Sequence, residues 1–117
     1  EARMSRIKLP AKGMKMGNLK PRIMKAIKGR MRNWREKLKG AYIISREWKT
    51  IRNKRTGIIL RRELNTVAIL EYQGSCKYFY FGIREDYNGQ KYGKTYCNSH
   101  AAGAKIACSK ANKMLTE

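Results

Sequence analysis

Thr66-Val67-Ala68-Ile69-Leu70-Glu71-Tyr72-Gln73-Gly74-Ser75-Cys76-Lys77-Tyr78-Phe79-Tyr80-Phe81-Gly82-Ile83 is the stretch that decides the fold. It is two runs of β-branched and aromatic residues with a Gly74-Ser75 link between them, and so short a link favours a primed turn. The reading is an antiparallel β-hairpin. In the second run Phe79, Phe81 and Ile83 fall on one side and Cys76, Tyr78 and Tyr80 on the other, because side chains alternate along a strand. Both faces are therefore partly apolar, one suited to a helix and the other to a partner. Upstream, Ala41–Trp48 and Gly57–Glu63 read as further strands, while 84–96, with Asn88-Gly89 and Tyr92-Gly93, reads as a loop.

Helices are expected on either side of this sheet. Leu19, Ile23, Ile27, Met31, Trp34 and Leu38 recur at steps of three and four, the spacing of one helix face. Asn18 suits the cap, Pro21 the first turn and Gly40 the stop, so a basic amphipathic helix is expected over 18–39. At the other end Asn98 or Ser99 caps a helix over 98–115, with Ala104, Ala107, Cys108, Ala111, Met114 and Leu115 along a face of mostly small side chains. Residues 1–17, with Pro10, Gly13 and Gly17 among Lys, Arg and Met, read as an extended basic arm whose apolar residues are too scattered to form a core. The expected fold is α+β. A small antiparallel sheet over 41–83 packs on the C-terminal helix within a domain of 40–117, behind the helix and the arm.

The 117 residues carry 28 Lys and Arg against 8 Asp and Glu, a net charge of +20 at pH 7. The excess is front-loaded, at +12 over the first 40 residues. So large an excess repels itself unless a polyanion neutralises it. No run approaches the roughly 18 apolar residues of a membrane span, so no membrane insertion is expected, and an anionic lipid surface ranks below nucleic acid as partner. The chain starts at Glu1 rather than Met, as a processed organellar protein would.

Candidate nucleic-acid contacts are Lys20, Arg22, Lys25, Lys28, Arg30, Arg32 and Arg35 of the expected first helix, with Lys77 on the hairpin. A second group is Arg46, Trp48, Lys49, Arg52, Lys54, Arg55, Arg61 and Arg62 at strand ends, where Arg forks onto phosphate and Trp supplies a stacking face. Trp34, Tyr78 and Tyr80 are further candidates for stacking or protein contacts.

Cys76, Cys97 and Cys108 are odd in number and form no CxxC pair, which points to a reducing compartment and buried free thiols. Cys97-x-x-His100 has acceptable zinc spacing, but Cys76 alone in a strand and Cys108 within a helix complete it poorly, so no metal is expected. Glu85-Asp86 reads as turn residues, and with no Walker loop, GxSxG or HExxH, neither enzyme activity nor a cofactor is expected.

Two resemblances follow. The strands Thr66–Tyr72 and Lys77–Phe81, then Tyr92-Gly93 and the small-residue run Ala101–Cys108, make residues 66–115 similar to a divergent Apetala/ethylene-response-factor-type domain. That resemblance implies a three-stranded sheet presenting Arg and Trp to DNA, supported from behind by an alanine-rich helix. The whole chain, with its basic arm, basic helix, small α+β domain and few acids, resembles ribosomal proteins in style. This implies a structural component of a ribosome, the mitochondrial one in the first place, with rRNA or other structured RNA and neighbouring proteins as partners. RNA binding by charge neutralisation is thus the first expectation, and sequence-specific DNA binding the alternative.

Overall fold

A computed structural model describes residues 8–116 of the chain. A short 3-10 turn over Gly17–Leu19 leads into helix α1, Lys20–Arg30. Strands β1 (Lys37–Ile43), β2 (Lys49–Arg52), β3 (Ile59–Tyr72), β4 (Ser75–Tyr87) and β5 (Tyr92–Ile106) follow, and helix α2, Cys108–Thr116, comes last. All strand pairs are antiparallel, in the order β1-β3-β4-β5, with β2 also on β3. β1 and β2 lie along the same edge of β3, β1 against 66–71 and β2 against 59–63. The α+β class expected from the sequence is the class observed.

The decisive hairpin forms one residue earlier than expected. Tyr72 pairs with Ser75, so the turn is Gln73-Gly74, with φ of +50° and +80°. Positive φ at both central positions is the primed geometry that matches strand twist, and Gly74 adopts it without a side-chain clash.

Several boundaries are corrected. The strand expected over Ala41–Trp48 is Lys37–Ile43, and those expected at Gly57–Glu63 and from Thr66 are one strand, Ile59–Tyr72. The helix expected over 18–39 stops at Arg30, where Met31 still donates its N–H to the Ile27 carbonyl before the chain turns. Leu38 reaches the same apolar cluster from β1, so strand and helix together imitate one helical stripe. Gly40 is not a helix stop. It lies in β1 beneath α2, where a Cβ would come within 2.9 Å of Leu115 Cδ1. The helix expected over 98–115 starts only at Cys108, because 92–106 pairs with β4 as a long edge strand. Its small residues serve the Tyr78 ring: a Cβ on Gly103 would sit 2.2 Å from Tyr78 Cε2. The loop expected over 84–96 is likewise the end of β4, a turn and the start of β5. In that turn Asn88 Oδ1 accepts from the N–H groups of Gln90 and Lys91 at 2.9 Å.

The sheet separates two cores. On one face Ile23, Ile27 and Met31 of α1 meet Ile43, Leu64, Ala68, Leu70, Phe81 and Ile83, with Trp34 packed edge-on to Phe79 at 5.3 Å. On the other, Ala111 of α2 closes over Ile69, Cys76 and Ile106, joined by Leu9 and Leu115. A disulfide between Cys76 and Cys108 ties α2 to β4, which corrects the expectation of free thiols at both positions, and Cys97 keeps its thiol. The signal missed was the strand: once 92–106 extends along β4, Cys108 returns to the start of β4 and meets Cys76.

Part of the basic arm, residues 1–7, lies outside the described residues. Residues 8–16 form no helix or strand, yet they dock. Gly13 donates to the Ile43 carbonyl at 2.7 Å, Met14 to that of Ser45 at 2.9 Å, and the Tyr42 hydroxyl to the Pro10 carbonyl at 2.7 Å. Leu9, Met14 and Met16 each pack on a core cluster, so the arm's apolar residues were underrated.

Two measurements check this architecture. Closing a loop between residues 32 apart removes unfolded-state entropy equivalent to about 3–4 kcal/mol. Reduction with dithiothreitol is expected to lower the urea-unfolding free energy by that order, and a Cys97→Ser variant to show the same loss. Burial pushes the Tyr42 phenol up to about 12, above its ordinary 10. Its contribution to stability is full below pH 10 and is lost as pH rises through 12. Tyr42→Phe is expected to make that alkaline loss shallower in paired urea titrations.

Candidate nucleic-acid interface

The cations divide by whether an acid or a ring already holds them. Arg62 is the clearest captive: Nε and Nη2 both donate to Glu85 Oε1, at 2.8 and 2.6 Å. Its guanidinium lies between the rings of Trp48 and Tyr92, 4.2 and 4.0 Å from their centroids. Glu85 is fully buried, and Arg22 of α1 approaches its other oxygen to 3.4 Å while Thr95 donates to it. Its position on β4 opposite Arg62 of β3 and Thr95 of β5 follows from register alone. A carboxylate removed from water is tolerable only with such partners.

Several candidate residues therefore have internal duties. Arg62 and Trp48 sandwich together, Arg61 donates to Glu63 at 2.9 Å, and Lys77 to Glu36 at 2.6 Å, which holds the Glu36 carboxyl below its ordinary value. Arg35 covers the Tyr72 ring at 4.6 Å. Trp34 is packed against Phe79, Phe81 and His100, and Tyr78 meets Tyr80 edge-on at 5.8 Å. Each of these side chains already has a partner within the fold.

Most of the other candidate cations lie in two places. Between α1 and β5 runs an open groove of about 680 Å³ lined by Lys25, Lys28, Arg30, Arg32 and Lys94, with Tyr96 and Cys97. Lys25, Lys28 and Arg32 project from or just beyond α1, and no acid lines the groove. Lys25, Lys28, Arg32 and Lys94 make no ion pair among the described residues. Arg30 is oriented by donating from Nε to His100 Nδ1 at 3.0 Å. Tyr96 donates to Asp86 at 2.8 Å, and burial, with that bond, pushes its phenol up. Lys20 lies exposed at the start of α1, on the same element. Lys94 and Tyr96 were not among the sequence candidates, because 84–96 read as a loop. The strand-favouring side chains Tyr92, Thr95 and Tyr96 were the available sign of a strand.

The second place is the β2–β3 ribbon, where Lys49, Arg52, Lys54 and Arg55 are all exposed, with Arg46 exposed in the link between β1 and β2. Both places present positive charge in depth, the arrangement that lowers the free energy of a threading polyanion.

The chain matches no protein-family model, no curated protein and no solved structure. Geometry therefore carries the reading. The helix that the Apetala-type resemblance places at Ala101–Cys108 is strand as far as Ile106.

The four candidate zinc ligands do not converge. Cys76 and Cys108 are joined, Cys97 Sγ donates to the Ser99 carbonyl at 3.3 Å, and His100 faces Arg30. Burial pushes the Cys97 thiol up, away from the thiolate a metal requires. Glu71 with Cys76 and Cys108 is the one grouping of potential ligands among the described residues, and disulfide sulfurs are not thiolates. No helix among the described residues is long and apolar enough to cross a membrane.

Glu85→Ala leaves Arg62 in a partly buried site without its counter-charge, and breaking such a pair costs about 3–5 kcal/mol. The expected outcome is a matching fall in the urea-unfolding free energy, with a much smaller fall for Glu47→Ala on the surface.

Proposed function

We propose that this protein binds structured RNA as a structural, non-catalytic component of a ribonucleoprotein particle, in the first place a mitochondrial ribosome. The observation that carries the reading is the acid-free groove between α1 and β5, with Lys25, Lys28, Arg30, Arg32 and Lys94 on its walls. Charge supports it from a second direction. Glu36, Glu63, Glu71 and Glu85 are all engaged with cations of the fold, which leaves exposed Lys25, Lys28, Arg32 and Lys94 of the groove without an acid partner among the described residues. A phosphate backbone laid along the groove would release its condensed counterions, and that release supplies most of the affinity of such contacts. Surrounding proteins of the particle would cover what the RNA leaves open.

Replacing Lys25, Lys28, Arg32 and Lys94 together with Gln removes four candidate phosphate contacts. At about 0.7–0.9 per contact, the slope of log affinity against log salt is expected to fall by about 3. Filter binding to a structured RNA across a salt series measures it. An unchanged slope would remove the groove from the interface. Endogenous protein is expected to sediment with a large particle and to leave it after RNase treatment. A light, RNase-insensitive position would sink the ribosomal setting, and tighter binding to duplex DNA than to RNA would turn the reading to DNA.

A further inference from the structure

Ile58 and Leu60 are the exposed large hydrophobic side chains among the described residues, 63% and 41% exposed. Both stand near the tip of the β2–β3 ribbon. β4 first pairs with β3 at Arg61, opposite Asp86, so the chain from Asn53 to Leu60 projects beyond the main sheet. The tip is nevertheless ordered by its own bonds. Asn53 Oδ1 accepts from the N–H groups of Arg55 and Thr56, Asn53 N–H donates to the Ile58 carbonyl at 2.8 Å, and Arg52 Nη1 donates to the Gly57 carbonyl at 3.0 Å. Gly57, at φ +77°, permits the tight return. A fixed tip that holds apolar side chains out in water is shaped for something that will cover them.

The surrounding charge narrows what that is. Lys49, Arg52, Lys54 and Arg55 are exposed on the same ribbon, and no acid occurs between Lys49 and Leu60. The fitting surface is apolar at its centre and anionic around it, as an unstacked base between phosphates is. An uninterrupted RNA helix does not offer this surface: its major groove is deep and narrow, and stacking hides the base faces. Bulges and loops do offer it, and Ile and Leu are among the side chains that proteins insert between base steps.

We propose that the ribbon tip docks at an interruption in an RNA helix, with Ile58 and Leu60 against the face of an unstacked base and Lys49, Arg52, Lys54 and Arg55 on the flanking phosphates. This rests on the RNA-binding reading and adds to it the kind of RNA site preferred. The groove grips the backbone of any RNA, and the tip selects where the helix is broken.

The test uses the full chain and two RNA stems of equal length, one continuous and one carrying a bulge with 2-aminopurine beside it. The wild-type protein is expected to favour the bulged stem about ten-fold and to brighten the 2-aminopurine on binding. The double variant Ile58→Ser, Leu60→Ser changes only exposed side chains. It is expected to keep its affinity for the continuous stem, which reports an intact fold and groove, while losing both the preference and the brightening. A wild type that binds both stems equally, or a variant that retains the preference, overturns the tip's role and leaves the RNA-binding reading standing. A wild type that binds neither stem overturns both. Should it instead bind anionic phosphatidylserine vesicles and lose them in the double variant, the tip is a lipid contact and the RNA assignment falls.

Discussion

The carboxylate of Glu85 sits out of contact with solvent, Arg62 against one oxygen, Thr95 and Arg22 at the other. These partners come from β3, β5 and α1, so one buried anion on β4 joins every element that flanks the groove. It matters more here than in a neutral protein. In a chain of net charge +20, bringing Arg22 and Arg62 together raises the energy unless a negative charge lies between them, and low local dielectric strengthens that effect in both directions. Trp48 and Tyr92 then clamp Arg62 from either side, which carries the order of the sheet out to the base of the ribbon.

From this arrangement comes a division of labour among the cations. Some are matched to acids: Lys77 to Glu36, Lys39 to Glu71, Arg61 and Arg84 to Glu63. Lys25 and Lys28 of α1, Arg32 just beyond it, Lys94 of β5 and the exposed cations of the ribbon have no acid partner among the described residues. Scarcity of acids thus leaves unneutralised charge on the exterior, at the groove and the projecting tip among other places.

How much of this was legible beforehand depends on how local each cause is. The β3–β4 hairpin was readable because turn and alternation lie within eighteen consecutive residues, and the start of α1 because its apolar spacing does. The helix was read too far, since Leu38 happens to continue the period although it belongs to a strand. The Ala101-Ala102-Gly103-Ala104 run favours helix by composition, but pairing with β4 and the bulk of Tyr78 override that preference. The disulfide and the sorting of Arg62 away from the interface depend on contacts across the whole fold, which spacing along the chain does not reveal. Of the candidate residues, those on α1 and the ribbon remain exposed, while Arg61, Arg62, Lys77 and Trp48 turned inward.

The bond between Cys76 and Cys108 also makes the C-terminal part of the chain a closed ring. Within that ring lie nearly all of β4, all of β5, the buried Glu85 and the Lys94–Cys97 wall of the groove; α1 and the ribbon lie outside it. A protease that nicks the exposed Asn88–Lys91 turn opens the ring without releasing either piece, and the nicked protein stays one covalent molecule until it is reduced. A nick at the ribbon tip, by contrast, divides the chain into two parts joined by packing and pairing alone.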